Sequence, residues 1–286
     1  MSDGRLPTAI VGANGTPGGP SSTPRSPRRV RRAWWKAVLA AAVAAGIVAA
    51  LLGTGVIPWG RSTANGSVAF LRADSKSLAA VAQALGGSWS VLGAVGFDER
   101  TAEDLSVSNV SRLVGANCTL AALPGGTLPA ALVVPSFPGS FGSGLAPMWI
   151  VFVTDLGAGS VVAVEVLDGS AVLLGQIDGT HCPSGSLGGH PLPATTVDSP
   201  VVAGTAWNEM GSSWVKADPS LTSLTMAAFG AGSYAGVAEP GVWGIVYSPC
   251  NPLLGGSTPQ TAFLAVFNLT TGGLTDSFSH GLDCPP

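Results

Sequence analysis

DSKSLAAVAQALGGSW (residues 74–89) and, 124 residues later, DSPVVAGTAWNEMGSSW (198–214) open and close alike. Each starts with Asp-Ser, meets a glycine and ends in tryptophan. Each reads as one helix. Ser75 and Ser199 are the expected N-caps, and Pro200 suits a first helical position, where a missing N–H costs nothing. Leu78, Val81, Ala82 and Leu85 fall on one apolar stripe; Val202, Ala206 and Met210 fall on another. Gly86 and Gly211 are the expected stops.

The likeness continues downstream. CTLAALPGGT (118–127) matches CNPLLGGST (250–258), and WIVFVTDLGAGSV (149–161) matches FLAVFNLTTGGLT (263–275). The second pair are apolar runs entering glycine turns, as hairpins do. Asp168-Gly169 adds a two-residue hairpin signal in the first half. The expectation is an α+β protein: a duplicated helix-plus-antiparallel-sheet ectodomain, with repeat 1 over 60–192 and repeat 2 over 193–286. A helix ahead of an antiparallel sheet is similar, in element order, to the modules of cystatin-like and PepSY-like proteins.

IDGTHCPSG (177–185) would close the first half and FSHGLDCPP (278–286) the second. The chain has four cysteines, and the repeat selects Cys118–Cys182 and Cys250–Cys284 from the three possible pairings. Asp178, His181, His280 and Asp283 are the only metal-ligand candidates, and they are weak ones. No CxxC or HxxxH occurs, and disulfides would consume the best ligands. The pentapeptides therefore read as structural stops, each following a last strand, and no cofactor is expected.

Composition divides the chain. Residues 1–36 hold seven basic groups and one acid; the other 250 hold six basic groups and fifteen acids. An acidic body excludes nucleic acid as a partner, because that binding needs phosphate neutralisation. Residues 1–33, rich in Pro, Gly, Ser and Arg, read as a disordered basic cytoplasmic tail. Residues 34–59 read as a transmembrane helix, with the uncharged run from Ala37 to Ile57 in the lipid bilayer. Tryptophans flank that run, and the basic cluster lies on its N-terminal side alone. These features predict a single-pass cell-membrane protein, N-terminus cytoplasmic and C-terminal domain outside; the low Lys content and Ala/Gly/Val bias point to a prokaryotic cell surface. Asn65, Asn109 and Asn268 are possible glycosylation sites, as is the less favourable Asn117.

Chemistry is sparse. GxSxG, Walker and HExxH motifs are absent. Asp98, Glu99, Glu103 and Asp104 cluster in one segment, which reads first as a solvated acidic loop and second as an acid–base pair. The functional expectation is a membrane-anchored, non-catalytic binding or scaffolding protein with an unknown extracytoplasmic partner. The alternative is an extracytoplasmic hydrolase. A histidine and a carboxylate gathered in one cleft would mark the enzyme; an aromatic surface patch would mark the binding module.

Overall fold

The computed structural model describes residues 66–114, 118–137, 139–155, 160–177, 190–230, 232–234, 237–239, 241–254 and 256–285. Its centre is a nine-stranded antiparallel sheet. Helix α1 (Phe70–Leu85) leads into β1 (Ser90–Glu99). A side layer follows, made of β2 (Glu103–Ser106), α2 (Val107–Val114) and β4 (Ala131–Val134); β3 (Leu120–Ala121) falls between α2 and β4 in the chain but is an edge strand of the main sheet. The strands β5 (Met148–Asp155), β6 (Ser160–Leu167) and β7 (Ser170–Ile177) then meander outward from β1. Helix α3 (Ser199–Ala206), a π turn (Trp207–Gly211) and α4 (Ser212–Ala217) come next, ahead of β8 (Ser223–Phe229). The small ribbon β9 (Gly232–Tyr234) and β10 (Val237–Glu239) separates β8 from β11 (Val242–Ser248), β12 (Thr258–Asn268) and β13 (Leu274–Cys284). The sheet order is β13-β12-β11-β8-β1-β5-β6-β7-β3.

Local chemistry accounts for the turns. Asp168 and Gly169 both take positive φ (50° and 76°), as the two-residue connection of β6 to β7 requires. At the β12–β13 turn, the Asn268 carboxamide oxygen accepts from the backbone N–H groups of Thr270 and Thr271. Both sheet faces are covered at the centre, so β1 and β5 are buried along almost their whole length. On the helix face, Phe70, Trp149 and Trp243 form a tilted and edge-on aromatic trio. Each indole N–H is satisfied at 2.9 Å: Trp149 donates to the Val68 carbonyl and Trp243 to the Val197 carbonyl. The other face packs Leu92, Val95, Phe97, Ile150 and Phe152 against Leu105, Val110 and Leu132 of the side layer.

The helix starts differ from expectation. Helix α1 begins at Phe70, and Ser75 is an exposed residue inside it. Its N-terminal N–H groups are capped from elsewhere: Ser199 Oγ accepts from Phe70 N–H at 2.9 Å, and Asp198 Oδ1 accepts from Leu71 N–H at 3.0 Å. Asp198, not Ser199, is the N-cap of α3. The Ser199 hydroxyl donates to the Gly144 carbonyl at 2.7 Å. Gly144 has φ +63°, and a side chain there would meet the Ser199–Pro200 backbone, so the loop can approach α3 only as glycine. The buried stripe of α1 is Phe70, Ala73, Ser77 and Val81, leaving Leu85 exposed. Gly211 is not a stop, because the chain continues through the π turn into α4.

Three larger expectations are corrected. A duplicated helix-plus-sheet ectodomain is not supported: strands from both halves share one large antiparallel sheet, and helices are few. One apolar core mixes side chains of α1, α3, β5, β8 and β11. The single-pass transmembrane helix is not supported either. Among the described residues no helix is long and apolar enough to cross a membrane, and residues 34–59 lie outside that set, as does the tail 1–33. The cell-membrane localisation and its stated topology lose their support with it. Of the two expected disulfides, Cys250–Cys284 is described, with Cα atoms 5.9 Å apart. Cys118 is also disulfide-bonded, while Cys182 lies outside the described residues.

Ser199→Ala removes the partner of two buried backbone groups at once. It should lower unfolding free energy by about 2–6 kcal/mol in urea titration, at an expected 1–3 kcal/mol for each group left unpaired. A loss below about 0.5 kcal/mol would refute the cross-capping.

Candidate functional site

The acids read as a solvated loop are in fact the end of β1. Asp98 and Glu99 are 0% and 1% exposed. They follow GAVGF without a glycine or proline break after Phe97, so the strand runs straight through them. Register then sets their neighbours. Asp98 lies opposite Leu224 of β8, which lies opposite Tyr247 of β11; Glu99 aligns in the same way with Ser223 and Ser248. Successive strand residues point to opposite faces, so the two acids stand on opposite sides of one sheet end.

On the helix side, Asp98 shares its environment with Tyr247. Neither carboxylate oxygen of Asp98, nor the Tyr247 hydroxyl, has a hydrogen-bond partner in the structure. Burial pushes the Asp98 carboxyl up to about 7, against the pull of Arg100. Burial, and then the nearby Asp98 charge, raise the Tyr247 phenol. The Tyr247 ring is surrounded by Phe141, Trp207 and Trp214, with ring centroids 6.2, 6.5 and 5.7 Å away. The π turn presents Gly211 directly against the Tyr247 hydroxyl, where any side chain would collide. Trp214 in turn stacks on Phe263 at 5.1 Å and 19°. Trp207, Met210, Trp214 and Phe263 are only partly buried, so this aromatic wall reaches the surface. The Arg100 guanidinium lies 4.6 Å over the Phe141 ring at the same end.

On the opposite side, the Ser223 hydroxyl donates to Glu99 Oε1 at 2.9 Å. Burial still raises Glu99 to about 8, with Glu103 and Asp98 adding to the rise. Glu103, half-buried on β2, is raised by burial and held down by a backbone hydrogen bond from Asn251. The Cys250–Cys284 bridge anchors this corner, immediately before Asn251. Asn109 also reaches it, donating to the Leu253 carbonyl at 2.7 Å. A carboxylic acid that keeps its proton near neutrality can act as a proton donor. Asp98 and Glu99 nevertheless cannot work as one pair, because the sheet separates them.

The other sequence candidates are not brought together. His280 and Asp283 are exposed on β13, and three residues apart on a strand they face opposite ways. Their pentapeptide is part of the last strand and does not follow it. Asp178, His181, Asn65 and Asn117 lie outside the described residues. Asn268 shapes the β12–β13 turn. Among the described residues no group of three His, Cys, Asp or Glu could hold a metal ion. Tyr247, Trp207 and Trp214 were missed as site residues, since only strand register and the π turn bring them together. No family model, curated protein or solved structure matches the chain.

Asp98 and Glu99 have folded values of about 7 and about 8, above their ordinary 3.8 and 4.5. The folded state therefore binds more protons than the unfolded state across that window, and stability falls as pH rises through it. The urea midpoint should be higher at about pH 5 than at about pH 8.5, and Glu99→Gln should narrow the gap by raising the alkaline value. A midpoint that climbs with pH would contradict the burial of these acids.

Proposed function

We propose that this protein is a non-catalytic binding module whose ligand surface is the aromatic wall of Trp207, Met210, Trp214 and Phe263. The observation that carries the proposal is the partial exposure of these side chains over a core that fixes them. Large rigid rings give much contact area at little entropic cost, and exposed aromatic groups of this kind suit apolar or aromatic ligand groups. The Cys250–Cys284 bridge favours an oxidising, non-cytoplasmic setting.

A hydrolase is the second reading, favoured by the proton-holding Glu99 beside Glu103. Against it, Glu99 is almost wholly buried. The two described histidines also lie elsewhere. His190 meets Gly230 near the start of β1, and His280 is on the outermost strand.

The test uses anilinonaphthalene sulfonate as an apolar aromatic probe. The full chain should bind it saturably, with quenching of tryptophan emission. Trp214→Ala and Trp207→Ala should each weaken binding at least about tenfold, a loss of roughly 1.4 kcal/mol, while circular dichroism stays native. Unchanged affinity in both variants would refute the surface.

A further inference from the structure

The two edges of the sheet are finished differently. At one edge β3 is two residues long, a common way of blunting an edge. At the other, β13 runs for eleven residues, nearly all exposed, with neither Lys nor Pro in it. Its irregularity is confined to one end, where Thr275 is bulged between Leu274 and Asp276. From Asp276 to Cys284 the strand is regularly paired to β12 on its inner side, and Cys284 is pinned through its disulfide. Among the described residues no strand pairs its outer side. Such a row of backbone donors and acceptors is a template for another strand.

The side chains indicate which strand. Asp276, Phe278 and His280 lie opposite Val266, Leu264 and Ala262 of β12 and so share one face. Phe278 packs there against Val242, Leu264 and Val266. The order acid, aromatic, imidazole is self-complementary when reversed about Phe278. We propose that β13 is a dimerisation edge, pairing antiparallel with β13 of a second copy of this chain about a two-fold axis at Phe278. Phe278 then meets the second copy's Phe278, and each Asp276 carboxylate accepts a hydrogen bond from the second copy's His280 imidazole. Aromatic and acid–imidazole cross-strand pairs both stabilise a ladder. Other arrangements lose this match. A two-fold centred on Ser279 sets Asp276 against Leu282 and Phe278 against His280, and an in-register parallel pairing sets Asp276 against Asp276. The isologous contact joins two nine-stranded sheets edge to edge. It leaves both aromatic walls open on one side, since Phe263 lies opposite Ser279 on the other face.

Sedimentation of the full chain should give a dimer in the micromolar range, and Phe278→Lys should give a monomer with an unchanged circular dichroism spectrum. Asp276→Lys should weaken the dimer, and adding His280→Asp should restore it. The register is tested with single cysteines under mild oxidation. Phe278→Cys should form a covalent dimer, because residues directly opposed across a ladder are within disulfide reach; Ser279→Cys should not. A monomeric native chain, a dimer indifferent to Phe278→Lys, or crosslinking at 279 in place of 278 would each overturn the proposal.

Discussion

The antiparallel pairing of β1 with β8, from Gly93–Phe229 to Glu99–Ser223, is the interaction on which the rest of the structure depends. It joins strands 124 residues apart in the chain at their Glu99–Ser223 end and turns two meanders into one sheet. Because β1 and β8 are central, both their faces must be covered. Helices α1 and α3 cover one face, and the β2–β4 layer with α2 helps cover the other. The same register lines up Asp98 with Tyr247 and Glu99 with Ser223 at one end of the sheet. A slip of one residue would exchange the faces of both acids.

Burial has a stability cost, and the structure meets it in two different ways. The backbone ends are satisfied: Asp198 and Ser199 cap α1 across more than a hundred residues, and the Trp149 and Trp243 indoles bind the carbonyls just ahead of α1 and α3. The acids are not satisfied in this way. Asp98 has no hydrogen-bond partner, and Glu99 has one hydroxyl donor and two acidic neighbours. An uncompensated buried carboxylate lowers its cost by keeping its proton, which makes acidity a property of the folded state. On the same face Tyr247 is packed by rings that are themselves only partly buried, while Asp98 is fully buried.

Local signals were legible in the sequence wherever the chain neighbours decide the outcome. The Asp168-Gly169 hairpin, the Gly86 end of α1, Pro200 in the first turn of α3 and the apolar runs of β5 and β12 could all be read directly. What long-range pairing decides was not legible. The α1 start has no local mark because its caps, Asp198 and Ser199, come from the start of α3. Similar segments in the two halves suggest separate modules, because periodicity cannot say whether two sets of strands lie in one sheet. Acidic residues are usually solvated, so nothing local marks Asp98 and Glu99 as buried; their setting depends on the pairing with β8 and, on the Tyr247 side, on the Phe141 loop. The π turn that seats Tyr247 carries no local sequence mark.

The claim that one central pairing organises the whole sheet is most directly tested by native-state hydrogen exchange, residue by residue. The amides of Val95 and Phe97 in β1 and of Thr225 and Ala227 in β8 should be among the slowest. They should open with one shared free energy, equal to that of global unfolding, as a single cooperative unit requires. Two separate opening free energies, one for the strands before residue 190 and another for those after it, would show that the halves unfold independently and would contradict the account.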